Sequence, residues 1–331
     1  MDRNGKGRAI RGARVEGPGY GWTHVRRLSR RWVTIGDFNL KQRRINKSLV
    51  NRKAREYVEK NPRLKGITDL YREVFSVQRR LSRRIPDRLP HIEGAEVSFR
   101  LEEGRLLLEP EEMEIDLSLL VGMIREIGEA LIKKGDKEPA DLRTFLEEEL
   151  TEELARELVE ACLAGDEERF NSLAEGKAAE PELIYLLLHL TLAPFYWKAA
   201  ASLARQADLD QVARGTCPVC GDLPLMGFLR SEDGLRVLEC SRCGARWGFP
   251  RMMCPFCMTT DQEKLRYIYL EDDPHHRAYL CDNCRKYIKI TSGYTGKDEE
   301  LVLPLEDLAT ARLDLAAEEK GYQRGCRTVF S

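Results

Sequence analysis

The chain is short of most features that mark a catalyst or a membrane protein. Its formal net charge is −1, from 54 basic and 55 acidic side chains in 331 residues. That balance excludes a uniformly basic nucleic-acid binder, though not a local basic patch. Histidine is scarce, with five residues. No Ser-His-Asp, His-Glu-x-x-His or phosphate-loop pattern stands out, so hydrolytic metal and nucleotide chemistry lack carriers. No run reaches the ~18 uninterrupted apolar residues of a membrane-spanning helix. The most apolar stretch, 183–204, is broken by His189, Pro194 and Lys198 and reads as a buried core helix. Ser29-Arg30-Arg31-Trp32-Val33 resembles a twin-arginine export signal, but Asp37, Lys41, Arg43, Arg44 and Lys47 follow it in place of an apolar run. The expectation is a cytoplasmic chain with no membrane insertion.

The near-zero charge hides an asymmetry. Residues 1–100 carry a net +16, residues 101–210 a net −16, and residues 211–331 a net −1. Residues 1–49 are basic and poor in apolar side chains after Trp32, so they are expected to be disordered or to order on contact. From 50 to 212 the pattern is helical. Leu70, Val74, Val77 and Leu81 recur at three- and four-residue steps, as do Leu117, Leu120, Val121, Ile124, Ile127 and Leu131. Asn61-Pro62 interrupts the first helix, and Pro86 and Pro90 stop the second. Residues 87–115 read as a connector; 139–164, 166–175 and 181–207 read as further helices, the last with Trp197 on its apolar face. This is one helical domain of antiparallel helices. After Gly215 the texture changes to short β-branched or aromatic runs, such as 235–238, 267–270 and 287–290. A final helix fits 304–319.

The strongest signal is cysteine spacing. Eight of the ten cysteines form four Cys-x-x-Cys pairs within 68 residues: Cys217/Cys220, Cys240/Cys243, Cys254/Cys257 and Cys281/Cys284. Each such turn aims two sulfurs at one centre, and two turns supply a tetrahedral four-thiolate site. Intervals of nineteen, ten and twenty-three residues between successive pairs suit two zinc-ribbon or rubredoxin-like modules, at 213–250 and 251–295, paired in chain order so that each encloses one hairpin. Four disulfides do not suit a chain without a secretory signal. Four thiolates accept either zinc or iron, so the expected cofactors are two metal ions, Zn or Fe. Both sites would be coordinatively full, unlike a catalytic zinc. The chain is therefore read as a non-enzyme with no small-molecule substrate. Cys162 reads as a buried thiol, Cys326 lies in the polar tail that ends the C-terminal helix-and-tail segment 296–331, His189 reads as a core histidine, and His275 and His276 read as exposed loop residues.

Two rival functions remain at this level. Zinc ribbons often bind nucleic acid, but residues 217–290 carry 11 basic and 10 acidic side chains, which disfavours a phosphate-binding face. A rubredoxin-like electron carrier needs iron in these thiolates.

Cys217-Pro-Val-Cys-Gly221, Leu238-Glu-Cys-Ser-Arg-Cys243, Trp247, Arg251-Met-Met-Cys-Pro-Phe-Cys257 and Cys281-Asp-Asn-Cys-Arg-Lys-Tyr-Ile-Lys289 together resemble the formate dehydrogenase accessory protein family, FdhE. The tail from Asp307 to Tyr322 and the segment Ala54–Pro62 resemble it too, so the likeness spans roughly 50–325. It implies an α+β architecture: an N-terminal all-helical domain, two rubredoxin-like four-cysteine modules and a C-terminal helix. It also implies a cytoplasmic maturation factor whose partner is the catalytic subunit of formate dehydrogenase. Loops near Trp247, Arg251 and 282–286 are expected to face that partner. The chain departs from the family pattern in the extension 1–49 and at Met258, where glycine usually follows the knuckle; the second site's turn is expected to differ there.

Overall fold

In the computed structural model, the residues described are 13–16, 47–86, 92, 94–113, 115–134, 140–294 and 300–326. The helical half opens with α1 (Lys47–Lys60) and α2 (Lys65–Leu81), separated by a 3-10 turn over Pro62–Leu64 whose entry is capped by the Asn61 side chain. These are followed by α3 (Gly94–Glu102), α4 (Leu117–Lys134), α5 (Ala140–Thr144), α6 (Glu152–Ala164), α7 (Glu167–Ala174) and α8 (Pro181–Leu203). Side chains at helical spacing, among them Leu120, Ile124, Ile127, Leu158, Ile184 and Leu187, are fully buried and form the core. Thr151 and Asp166 cap α6 and α7 by accepting from the amides of Leu154 and Arg169.

Helix α8 is long and apolar enough to cross a membrane by length and composition, yet 67% of its most apolar window is buried inside the fold. Pro194 lies within it and removes one amide donor. The carbonyl it would leave unpaired, that of Leu190, instead accepts from the buried Gln78 side chain of α2 at 2.7 Å. An interior proline is thus tolerated because a neighbouring helix replaces the missing hydrogen bond.

Three sequence expectations change here. The connector 87–115 contains α3, too short for its periodicity to show, with Val97 buried and Phe99 half exposed. The expected helix over 139–164 is broken by a wide turn at Phe145–Glu149, where the Leu150 amide bonds the Phe145 carbonyl five residues back. Arg125 donates to the freed carbonyls of Leu146 and Leu150. The final helix divides at Thr310 into α9 (Leu303–Ala309) and α10 (Ala311–Glu318).

The strands are β1 (Ala13–Glu16), β2 (Pro224–Leu229), β3 (Arg236–Cys240), β4 (Arg246–Phe249), β5 (Leu265–Leu270), β6 (Asp273–Cys281), β7 (Lys286–Thr291) and β8 (Gln323–Arg324). Among the described residues they form one eight-stranded sheet in the order β1-β5-β6-β7-β2-β3-β4, with β8 beside β7. The two antiparallel meanders, β2-β3-β4 and β5-β6-β7, join where β2 and β7 run parallel, Gly227 opposite Ile290. Within the basic extension, Ala13–Glu16 pairs antiparallel with β5; residues 1–12 and 17–46 lie outside the described residues.

The C-terminal helices lock onto this sheet by charge. Lys289 of β7 is 1% exposed and reaches Asp307 at 2.9 Å and Asp314 at 2.6 Å, while Arg324 of β8 meets the same two carboxylates. Two cations and two anions balance in a largely buried site, and each charge is hydrogen-bonded.

Candidate metal centre

The four knuckles share one backbone plan. In each, the amide four residues after the leading cysteine donates to that cysteine's carbonyl: Gly221 to Cys217, Gly244 to Cys240, Met258 to Cys254 and Arg285 to Cys281, at 2.8–3.3 Å. That closing residue must turn left-handed, and all four do, with φ of 79°, 68°, 59° and 58° respectively. Glycine accepts this freely, whereas a side chain costs about 1–2 kcal/mol. The turn at Met258 therefore has the same form as the others, contrary to the expectation, and the departure is in its cost.

The pairs meet in chain order. Cys217, Cys220, Cys240 and Cys243 form one group, and Cys254, Cys257, Cys281 and Cys284 the other, with all sulfurs of a group within 4.8 Å of one another. Nearest sulfur contacts are 3.5 Å for Cys217–Cys243 and Cys220–Cys240, 3.7 Å for Cys254–Cys284 and 3.6 Å for Cys257–Cys281. A disulfide needs about 2.05 Å. A tetrahedron with metal–sulfur bonds of about 2.3 Å has edges of about 3.8 Å. The donor sets therefore fit four-thiolate coordination, and each group could hold one metal ion. A filled set leaves no open position for water or substrate.

The first group lies inside the main core. All four cysteines are buried, and they share their apolar cluster with α4, α6 and α8. The amides of Leu107 and Leu108, from the connector after α3, donate to the carbonyls of Pro218 and Val219 within the first knuckle. Arg242, inside the second knuckle, pairs with Asp222 at 2.8 Å and lies over the Tyr196 ring of α8. Amides of Arg242 and Cys243 approach the Cys240 sulfur at 3.4 Å. Burial pushes the Cys217 and Cys243 thiols well up, whereas hydrogen bonds from Cys217, Cys240 and Cys243 hold Cys220 well down. Such a set carries one negative charge readily and four only with a cation at its centre.

The second group lies at the rim. Cys254 and Cys281 are buried, but Cys257 and Cys284 are partly exposed. Burial raises Cys254, and raises Cys284 to about 11. At Cys257 burial is outweighed by hydrogen bonds from the Asn283 side chain, at 3.4 Å, and the Thr259 amide, which bring it to about 7. The third knuckle is wedged between distant backbones. A Cβ at Gly215 would stand 2.0 Å from the Pro255 carbonyl, and one at Gly325 would stand 1.8 Å from the Phe256 ring. The tail holds the fourth knuckle: Tyr322 donates to Asp282, and Arg285 stacks on Tyr322 and donates to the Lys320 carbonyl at 2.9 Å.

Away from the sulfurs, Trp247 is fully buried, its indole donating to the Arg214 carbonyl, so it presents no surface, contrary to the expectation. Trp197 is half-buried against Phe75. Cys162 is buried and raised by that burial. Cys326 is buried too, and pushed to about 12, because β8 carries the polar tail onto the sheet. His189 lies on α8 beside Tyr185, and burial lowers it. His275 and His276 are on strand β6 and not in a loop. His276 is clamped between Asp273 at 2.8 Å and Glu306 at 2.9 Å. Burial opposes its charge, but the two carboxylates prevail and raise it to about 9. Asp273 is close to it in sequence, whereas Glu306 arrives from α9.

Residues 216–251 match the family model described as FdhE, central domain, and residues 252–330 match that described as FdhE, C-terminal domain. The chain is 34% identical over 192 residues to Protein FdhE of Escherichia coli (strain K12), covering 56% of each chain. It is 30% identical over 230 residues to the Protein FdhE homolog of Pectobacterium atrosepticum, covering 62% of this chain and 73% of that one. The chain thus spans a little over half the length of the E. coli relatives it matches. The crystal structure of the FdhE protein from Pseudomonas aeruginosa has the same fold, with a TM-score of 0.61 at 21% identity over 86% of this chain and 96% of that one.

Proposed function

Since this chain belongs to the FdhE family, we propose that it is a cytoplasmic, non-enzymatic maturation factor for formate dehydrogenase. Its eight paired cysteines hold two metal ions, zinc or iron, that shape the surface it presents to the catalytic subunit. Residues 50–212 act as the helical scaffold, 213–250 and 251–295 as the two metal modules, and 296–331 as the brace.

The observation that carries this reading is the exposure of the second cluster. Cys257 and Cys284 reach the surface there, with Met258 42% exposed and Arg251 exposed beside them. An exposed thioether and cation next to a rigid knuckle suit a protein partner better than bulk water does. Two closed four-thiolate sets offer no position for a substrate, which supports a scaffolding role over catalysis.

Co-purification of the catalytic subunit with the metal-loaded chain tests this. Capture is expected, with Met258→Asp reducing it by at least about tenfold through burial of a charge at the contact. Absence of capture, together with unchanged formate dehydrogenase activity when the chain is deleted, would remove the reading.

A further inference from the structure

Beside the second cluster lies a pocket of ≈ 120 Å³ that Cys254 and Cys281 of that cluster help to line. Every charged side chain lining it, the cysteines aside, is basic: Arg236, Arg251, Arg266, Arg277 and Lys286. Arg266 is neutralised by Asp282 at 2.7 Å. The other four have no carboxylate within ion-pair distance among the described residues. Arg236 is 2% exposed; its guanidinium donates to the carbonyls of Pro250 and Met253 and lies over the Phe249 ring. The Nε atoms of Arg236 and Arg277 are buried with no hydrogen-bond partner. Of these four, Arg236 is buried, Arg277 and Lys286 are partly exposed and Arg251 is exposed; four thiolates around a divalent ion would place a net −2 beside them, so the four cations still leave an excess of positive charge. Carbonyl oxygens and ring faces offset only part of this, since neither carries a full negative charge.

Apart from Gln262 and the two cysteines, the rest of the lining is apolar or aromatic, including Met253, Phe256, Tyr267 and Tyr279. Size narrows what can enter. Pockets for drug-sized ligands and cofactors run to about 300–1,000 Å³. An engineered apolar cavity of about 150 Å³ holds benzene. The pocket is partly open to solvent, so this volume sets the part of a ligand that enters it, about one six-membered ring.

We propose that this cavity binds a small organic anion: a carboxylate or phosphate ester carried on a flat apolar body of about one ring. The anionic group meets the excess positive charge at Arg236 and Arg277, and the body lies among the tyrosines and Met253. The assignment does not depend on the formate dehydrogenase reading, because it rests on lining, volume and the excess of positive charge alone.

Titration calorimetry of the full, zinc-loaded chain at low ionic strength tests it, with benzoate, phenyl phosphate and uncharged benzamide as probes. One of the two anions is expected to saturate a single site while benzamide does not, and the better anion distinguishes the two headgroup chemistries. Arg277→Gln is expected to weaken that anion by at least about tenfold, with zinc content unchanged and partial recovery in Arg277→Lys. Arg251→Gln, at an exposed position, repeats the test without disturbing the core. The proposal falls if neither anion saturates at about 10 mM, if benzamide binds equally, or if both substitutions leave binding unchanged. Binding of an oligoglutamate peptide in place of both small anions would overturn it in favour of a partner-docking surface.

Discussion

The first cysteine group is walled in by helices α4, α6 and α8, with glycine closing both of its knuckles. The second stands at the rim of the sheet, closed by Met258 and Arg285 and braced by the tail. Identical ligand chemistry thus serves two ends. Inside the core, an ion held by these sulfurs would add its energy to the packing around it, so metal and fold would stand together. At the rim, the same four sulfurs are held by backbone wedges and a few side chains, two of them within reach of solvent. A site of that kind can exchange its ion, or be covered by a partner, without opening the hydrophobic core.

The largest test of this contrast removes one sulfur from each group. Cys243→Ser should cost more than about 5 kcal/mol, because it leaves three buried thiols uncompensated and a gap in the shared core. That is enough to unfold a marginal domain. Cys257→Ser should also lose one ion, but retain the helical circular dichroism signal and most of the stability. Equal losses in the two variants would break the comparison. A chelator challenge sharpens it: about half of the bound metal should leave quickly from the exposed group and the remainder only as fast as the protein unfolds.

Next in size is the pin between the rim half of the sheet and the helices. His276 on β6, Asp273, Glu306 on α9 and the Tyr57 hydroxyl of α1 meet in one cluster. The folded value of His276 is about 9 against an ordinary 6.5. A raised folded value means the stabilisation is fully present below pH 6.5 and is lost as pH rises through 9. The change is of order 3 kcal/mol, because each tenfold gain in proton affinity is worth about 1.36 kcal/mol. Urea midpoints at both ends of that window should fall further in the wild type than in His276→Gln. A parallel fall in both would show that the cluster contributes nothing.

The smallest effect concerns the knuckle turns themselves. Met258→Gly should stabilise the apo protein by about 0.5–1 kcal/mol, the relief of left-handed strain less the added freedom of the unfolded chain. Gly244→Ala should destabilise by about 1 kcal/mol through strain alone, since a Cβ there meets nothing within 4 Å. Thermal midpoints that move in the same direction for both would refute the shared-turn plan.

The helices α1, α2, α4 and α8 and the chain-order pairing of the knuckles were legible because their signals are local: apolar periodicity in one case, two-residue gaps between cysteines in the other. Helix α3 was not, because nine residues with one buried valine leave no period to read. His276 looked like a loop residue because its second carboxylate is thirty residues away on another element. Trp247 looked like a contact residue because an aromatic beside a knuckle carries no mark of which way it faces; the Arg214 carbonyl that satisfies it comes from an earlier loop. The cationic cavity left no sequence trace at all, since its arginines come from β3, β5, β6 and the loop before the third knuckle.

By itself the sequence determined the eight sulfurs, their grouping in fours and the helical character of the first half, since each follows from spacing along the chain. Tertiary structure alone decided that the two modules share one sheet through the β2–β7 pairing, that one cluster is buried and the other partly exposed, and that several arginines gather beside the second. The physical reason is that burial and net local charge depend on which distant segments exclude water from a site, and no residue carries that information in its own neighbourhood.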